Sequence, residues 1–181
     1  MMSQNNGKSA GNRVLITGSV ALDTVKTPFG EKKDILGGSA SHASVAASFY
    51  SPVNLVGAVG TDFPQEHREF FEGRHIDCEG LDGSKGKTFR WAGYYEYDMN
   101  QAHTIDTQLN ILAEFQPKIP AGYESSPYIL LANLDPLLQK QILGKMKSPQ
   151  VIGLDTMNFW ISSKRDAIIA LGLYRHDTAL A

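Results

Sequence analysis

Cysteine and long apolar runs are scarce in this sequence. Cys78 is the single cysteine among 181 residues, so the chain cannot form an intramolecular disulfide. A lone cysteine fits a reducing compartment, and we expect a cytoplasmic protein in which Cys78 is a buried, unreactive thiol. No apolar stretch approaches the length of a membrane span, and the polar residues 1–12 hold no signal-peptide core. We therefore expect no membrane partner and a disordered lead-in over residues 1–12.

Basic clusters are absent as well. No run of basic residues is longer than two, as at Lys32-Lys33, and the formal net charge is −2. This pattern argues against a nucleic-acid partner. Apolar residues make up 42% and charged residues 20%, an ordinary globular composition, and a chain of this length can bury about 70% of its unfolded surface in one domain.

Two polar loops flank a helix and a strand between Gly37 and Asp62. The first loop is Gly37-Gly38-Ser39-Ala40-Ser41-His42. Adjacent glycines let the backbone adopt positive φ and approach a bound group closely. We expect their amides, with Ser39 and Ser41, to line a polar concavity just before a helix N-terminus. The simpler alternative is that the glycine pair serves only as a tight turn from strand to helix.

The helix and strand between these loops follow from spacing. One helical face is predicted from apolar residues at i, i+3, i+4 and i+7, namely Ala43, Ala46, Ala47 and Tyr50. Pro52 ends that helix, because the residue before a proline avoids the helical region. The apolar run from Val53 to Val59 predicts a buried strand. It leads into the second polar loop, Gly57-Ala58-Val59-Gly60-Thr61-Asp62.

Further apolar runs predict an α/β fold with a mostly parallel sheet flanked by helices. Central strands are predicted at Val14–Thr17, Tyr128–Ala132 and Val151–Leu154. Helices are predicted after Asp62-Phe63-Pro64 and Asp135-Pro136, and a capping box at Ser163–Asp166 predicts another. Aspartates come after four predicted strands, at Asp23, Asp62, Asp135 and Asp155. We expect a ligand site at that carboxyl edge, with Asp62 serving mainly as a helix cap.

Alternating aromatic residues predict a strand over residues 87–97, with Phe89, Trp91, Tyr95 and Tyr97 at every second position or nearly so. Residues 98–101 form a predicted turn, and a second strand continues to residue 110. We expect a two-stranded ribbon that projects from the α/β core. Its aromatic rings either stack on a ligand or pack against the sheet or a partner's ribbon.

Taken in order, these motifs resemble the first signature of the PfkB (ribokinase-like) carbohydrate and nucleoside kinases. The shared features are Gly-Gly, a polar residue, a run of small residues and then Gly-x-Val-Gly-x-Asp, within a resemblance from Val14 to Arg165. The resemblance implies a Rossmann-like ribokinase fold with a small β lid at about residues 87–110. It also implies ATP- and Mg²⁺-dependent phosphorylation of a hydroxymethyl group on a sugar or nucleoside.

The resemblance also implies roles for individual residues. Asp23 matches an aspartate that holds sugar hydroxyls, although Ala21 stands where the family often has an asparagine. His42 stands where many members have a substrate-binding asparagine. The implied acceptor site is Asp23, Gly37, Gly38, Ser39, His42 and Asp135, and the implied lid residues are Trp91, Tyr95 and Tyr97. The alternatives are a solvated Asp23, a His42 without ligand contact and an Asp135 that only caps a helix.

The family's donor-site motifs do not occur in this sequence. Asn-x-x-Glu, Gly-Ala-Gly-Asp and a Walker A motif are all missing from the 181 residues. We therefore expect a truncated kinase domain over residues 13–181, with no catalytic base, no metal site and no tight binding of ATP or Mg²⁺. Other possibilities are a non-catalytic sugar- or nucleoside-binding module and a misfolding remnant. We also expect a homodimer through the lid, or self-association through an exposed sheet edge.

Overall fold

The computed structural model describes residues 13–172. The lead-in predicted for residues 1–12 and the tail over residues 173–181 lie outside the described residues. Between them lie nine strands and five α-helices. The strands are β1 Val14–Thr17, β2 Ala21–Thr27, β3 Gly30–Gly37, β4 Val53–Ala58, β5 Ile76–Asp82, β6 Phe89–Tyr95, β7 Ala102–Gln108, β8 Tyr128–Leu131 and β9 Val151–Leu154. The helices are α1 Ser39–Ser48, α2 Gln65–Glu72, α3 Pro136–Leu143, α4 Asn158–Ser163 and α5 Arg165–Gly172.

Five strands form a parallel core sheet in the order β5-β4-β1-β8-β9. Alternate residues of β1 enter two separate hydrophobic clusters, because successive side chains of a strand point to opposite faces. Leu15 packs with Ile142 of α3, whereas Ile16 packs with Ala40 of α1 and Phe71 of α2. Helices therefore cover both faces, which confirms the predicted α/β fold.

The predicted strand at the end of the sheet is less buried than expected. Among residues 13–172, β9 pairs with β8 alone, so it forms an edge of the core sheet. Val151 is 58% exposed and Leu154 is 38% exposed. The prediction of a buried core strand there is wrong, because one side of β9 has no neighbouring strand in the part of the chain that the structure describes.

Helix α1 packs on the core through part of the predicted face, since Ala43 and Ala47 are half-buried against it, but Ala46 is exposed. Its buried residues are Ala40, Ser41 and Ser44, while Tyr50 lies beyond the helix and is 93% exposed. Small serines and alanines alternate along this helix, so either face could have packed closely on the sheet. The neighbouring prediction for strand β4 is confirmed, since all six of its residues are buried.

Four further strands form a second sheet in the order β3-β2-β6-β7, which we call the lid sheet. The predicted ribbon corresponds to β6 and β7, which pair antiparallel. Strand β2 pairs parallel with β6 and antiparallel with β3, so the ribbon is only half of this sheet. Asp23 lies within β2, and the prediction that it follows the carboxyl end of a strand is therefore wrong.

One of the three predicted helix caps is confirmed. Asp135 caps α3 as predicted, with its carboxylate accepting a hydrogen bond from the amide of Leu137 at 2.9 Å. Helix α2 instead starts after Pro64 without a side-chain cap, so the expected capping by Asp62 is wrong. The predicted capping box is also wrong, because Ser163 ends α4 and donates its hydroxyl to the carbonyl of Phe159.

Candidate functional site

Gly38 makes the turn from β3 into α1. Its φ is +91°, and a Cβ there would lie 2.4 Å from the carbonyl oxygen of Ser19. A residue with a side chain would therefore be strained and would clash with the backbone. At this position, the interpretation of the glycine pair as a strand-to-helix turn is confirmed.

Ser19 accepts hydrogen bonds from the first two amides of α1. The amide of Ser39 donates to Ser19 Oγ at 3.0 Å, and that of Ala40 donates to Ser19 O at 2.9 Å. The amides of Ser39 and Ala40 are therefore already satisfied inside the protein, and a concavity lined by the amides of Gly37 and Gly38 stays a prediction. Ser39 Oγ donates to the carbonyl of Asn133 at 3.1 Å, which ties the start of α1 to the segment after β8.

Asp23 places its carboxylate over Gly37. A Cβ built on Gly37 would lie only 1.9 Å from Asp23 Oδ2. The other oxygen, Oδ1, is buried and has no hydrogen-bond partner within residues 13–172. Burial raises the pKa of Asp23, and the nearby imidazole of His42 partly offsets that increase. Asp23, Gly37 and His42 therefore meet at one place, and one carboxylate oxygen there lacks a protein donor.

Trp91 of the lid sheet lies on the same face as Asp23. The two residues are direct partners in the β2–β6 register, and such partners project to the same side of a sheet. The indole covers Gly93, where a Cβ would lie 2.2 Å from the ring, and its Nε1 donates to Thr104 Oγ1 at 3.1 Å. The ring is thus held flat along the lid sheet beside the strand that carries Asp23.

The other predicted lid aromatics, Tyr95 and Tyr97, lie at the tip of the lid sheet. Tyr95 ends β6 and lines a cavity of about 500 Å³ at the tip of the lid sheet, together with Tyr94 and Tyr97. Tyr97 lies beyond the strand, is 81% exposed and contacts Phe29 edge-on at 6.1 Å between ring centroids. Of the predicted lid residues, Trp91 is the one that the strand register pairs with Asp23.

Asp135 already has partners for both of its carboxylate oxygens. One oxygen accepts from Leu137, and the other forms a short ion pair with Lys164, the residue between α4 and α5. Asn133, two residues earlier, accepts a hydrogen bond from Trp160 Nε1 at 3.0 Å. Capping and ion pairing therefore account for Asp135 without a ligand, and a role in acceptor binding stays a prediction.

Asp62 joins the two sheets instead of capping a helix. Its Oδ1 accepts from the amide and hydroxyl of Thr88, at 2.7 and 2.8 Å, and its Oδ2 accepts from Arg90 at 3.0 Å. Burial pushes the pKa of Asp62 upward, but the hydrogen bonds from Thr88 and Arg90 outweigh it and hold the pKa below its ordinary value. Sequence reasoning missed this arrangement, because its partners lie 26 and 28 residues away.

Within residues 13–172, no cluster of three or more His, Cys, Asp or Glu side chains could hold a metal ion. None of the helices in the same range is both long and apolar enough to cross a membrane.

Known proteins of similar fold are sugar and nucleoside kinases. The nucleoside kinase of Methanocaldococcus jannaschii, described as an archaeal member of the ribokinase family, superposes with a TM-score of 0.68 at 15% identity, over 87% of this chain and 56% of its own. The chain has the ribokinase-like fold. A ribokinase from Cryptococcus neoformans var. grubii, solved in complex with ADP, superposes with a TM-score of 0.55 at 20% identity, over 66% of this chain and 42% of its own.

One curated relative also matches in sequence. The cytidine kinase of Thermococcus kodakarensis is 25% identical over 139 residues, which are 76% of this chain and 49% of that enzyme. No family model matches the chain. The resemblance to ribokinase-like kinases predicted from the motifs is thus confirmed, and the chain spans about half the length of the relatives it matches.

Proposed function

We propose that this chain forms the acceptor-binding part of a PfkB-type sugar or nucleoside kinase. The observation that carries the proposal is the buried Oδ1 of Asp23, which has no hydrogen-bond partner among the residues that the structure describes. A buried carboxylate oxygen without a donor is costly, and an acceptor hydroxyl would supply that donor. Asp23 accordingly holds the acceptor, and Gly37 provides the space in which its carboxylate lies.

The remaining residues of the proposed site surround this carboxylate. Gly38 and Ser39 shape the loop at the start of α1, and His42 follows on the first turn of that helix. Trp91 covers the acceptor from the lid sheet, with Tyr95 and Tyr97 farther out. Asp135 joins the site only if its pairing with Lys164 opens. The matching cytidine kinase favours a nucleoside as the acceptor over a free sugar.

We further propose that ATP and Mg²⁺ are handled by residues other than those of this chain. Helix N-termini bind phosphate through free amides, but the first amides of α1 donate to Ser19 and α3 begins with the carboxylate of Asp135. These ends therefore do not fit a triphosphate. The family's Gly-Ala-Gly-Asp motif, with its catalytic aspartate, is also missing from the sequence. The chain alone then binds an acceptor without phosphorylating it, in the reducing cytoplasm that its lone thiol favours.

Calorimetric titration of the purified chain with cytidine and with ribose tests the acceptor proposal. We expect saturable binding of at least one of them, with the affinity lowered at least about tenfold by Asp23→Asn, since a hydrogen bond to a charged group is lost. Asp106→Asn, the same change on an exposed position of β7, is the matched control and leaves the affinity unchanged. Equal binding by the wild type and the Asp23 variant would refute this assignment.

The lid tip supports a proposal about assembly. Phe29 and Tyr97 are each 81% exposed and stand beside the aromatic cavity of the lid sheet, an unusual concentration of exposed rings. We propose a homodimer through these lid tips. A weaker self-association runs through the exposed apolar edge of β9. Light scattering of Tyr97→Ser separates the lid-tip dimer from self-association through β9, since the substitution dissociates only the dimer. A monomeric wild type would contradict both modes of association.

A further inference from the structure

We propose that Asp62 is a positioning residue that holds the lid sheet in place over the acceptor site. This inference rests on the proposed function for its consequence, but its structural basis is separate. The cluster concerned consists of Asp34, Asp62, Thr88 and Arg90, which we call the Asp62 cluster. Asp62 follows β4 of the core sheet, whereas the other three residues lie in or immediately beside strands of the lid sheet.

The backbone at Gly60 docks against the start of β6. A Cβ at Gly60 would lie 2.3 Å from the backbone of Lys87 and Thr88, so only glycine allows this approach. The amide of Gly60 donates to Thr88 Oγ1 at 3.0 Å, and that hydroxyl donates in turn to Asp62 Oδ1. The loop after β4 and the base of β6 are therefore joined by a closed set of hydrogen bonds.

Arg90 carries this connection across the lid sheet. One guanidinium nitrogen donates to Asp62, and the other pairs with the carboxylate of Asp34 on β3. Because β2 lies between β3 and β6, Arg90 reaches across the strand that holds Asp23. The side chain of Arg90 projects to the face opposite Trp91, since neighbouring residues of a strand alternate. The Asp62 cluster thus stabilises the lid sheet from one face, while Asp23 and Trp91 project from the opposite face.

The consequence is a fixed orientation of the lid sheet relative to α1 and the core. Without the Asp62 carboxylate, Thr88 and Arg90 each lose a charged acceptor, and the base of β6 can separate from the Gly60 loop. Asp23 and Trp91, which move with the lid sheet, would then no longer be held in place relative to α1 and the core sheet. The geometry assigns Asp62 to lid placement, and no contact of Asp62 with substrate is needed.

Hydrogen exchange on the free protein tests this assignment without any ligand. We expect Asp62→Ala to raise exchange of the β3 and β6 amides by about tenfold or more, while the amides of β4 and β8 keep their protection. The matched control is Asp82→Ala, because Asp82 Oδ1 likewise accepts from an amide and a hydroxyl, both of Ser84, but Asp82 lies at the end of β5 in the core sheet. That control leaves exchange in β3 and β6 unchanged.

A second variant and a second readout keep the test decisive. Asp62→Asn retains an acceptor for Thr88 but removes the charge facing Arg90, so exchange in β3 rises while the chain still folds. In a Trp160→Phe background, the fluorescence of Trp91 becomes more accessible to acrylamide in both Asp62 variants. We expect the dissociation constant for cytidine to rise about tenfold as well.

Four outcomes decide between the proposals. Unchanged exchange in β3 and β6, or an equal rise in β4 and β8, would overturn the positioning role of Asp62. Selective exchange in the lid sheet with an unchanged cytidine affinity would also overturn it, because the lid would then not position the site. A wild-type chain that binds no acceptor would instead refute the proposed function, while the exchange result would still report whether Asp62 holds the lid sheet.

Discussion

The carboxylate of Asp23 occupies the space that a side chain at Gly37 would need, with only 1.9 Å between Oδ2 and a Cβ built on the glycine. The two residues lie on the paired strands β2 and β3, which fixes their separation. Gly37 is therefore glycine because of close approach, whereas the neighbouring Gly38 is glycine because of its positive φ. Each glycine of the pair has its own physical reason, and only one of them involves the candidate acceptor site.

Substituting Gly37 should affect the site more than the fold. Gly37→Ala pushes the Asp23 carboxylate aside, so we expect acceptor affinity to fall about tenfold or more, with a loss of stability of about 1–3 kcal/mol from local overpacking. Calorimetry with cytidine and urea denaturation measure the two effects. Gly122→Ala is the control, since a Cβ there meets no atom within 4 Å. Full affinity in the Gly37 variant would show that the carboxylate position is unimportant.

Asp23→Asn should stabilise the free protein near neutral pH. Burial raises the pKa of Asp23 in the folded state above its unfolded value of about 3.9. The folded chain therefore binds the proton more tightly, and stability is lost as pH rises between these two pKa values. Asparagine cannot ionise and avoids that loss. Below about pH 3.9 the carboxyl group is protonated in both states, and the advantage of the variant disappears.

Urea denaturation of wild type and Asp23→Asn at pH 7 and pH 3.5 checks this sign. We expect the variant to have the higher free energy of unfolding at pH 7 and the smaller difference at pH 3.5. A less stable variant at pH 7 would mean that Asp23 makes a favourable interaction in the free protein. It would also weaken the case that its Oδ1 awaits an acceptor hydroxyl.

Two adjacent phenylalanines on α2 should respond very differently to truncation. Phe71 is fully buried in the core, whereas Phe70 is 37% exposed and lies under the guanidinium of Arg74, 3.7 Å from its ring centroid. We expect Phe71→Ala to cost about 3–5 kcal/mol and Phe70→Ala about 1 kcal/mol or less. Chemical denaturation measures both, and comparable losses would place α2 in a different orientation on the core sheet.

Cys78 should be nearly inert in the folded protein. Burial raises the pKa of its thiol to about 11, so very little thiolate exists at pH 8. We expect alkylation by iodoacetamide to be about a hundredfold slower than for an exposed thiol, with full reactivity restored in urea. Rapid labelling of the native chain would indicate that β5 opens readily at the edge of the core sheet.

Sequence patterns located the core sheet well but the lid sheet only in part. Strands β1, β4 and β8 consist mostly of apolar residues, as expected for parallel strands covered on both faces. By contrast, β2 and β3 mix charged and small residues because one face of the lid sheet is open. Their hairpin therefore shows no apolar period, so β2 was not predicted and Asp23 was placed after a strand instead of within one.

The sequence pointed to residues that the structure places side by side, but it did not predict their contacts. Gly37, Gly38 and Asp23 do meet, yet Ser19, which satisfies the amides of α1, showed no motif of its own. Asp62 was misassigned for a local reason, since Asp-x-Pro before a helix is a common capping pattern. Its actual partners come from a strand far along the chain, and only the packing of the two sheets brings them together.

We propose that this chain binds the acceptor but not the phosphate donor. The most direct test is to titrate the purified chain with a non-hydrolysable ATP analogue and Mg²⁺, in parallel with cytidine or ribose. We predict that an acceptor binds saturably and that this binding depends on Asp23. We predict no saturable binding of the nucleoside triphosphate. A one-to-one complex with the ATP analogue, formed by this chain alone, would contradict the assignment of the chain to the acceptor side of the kinase.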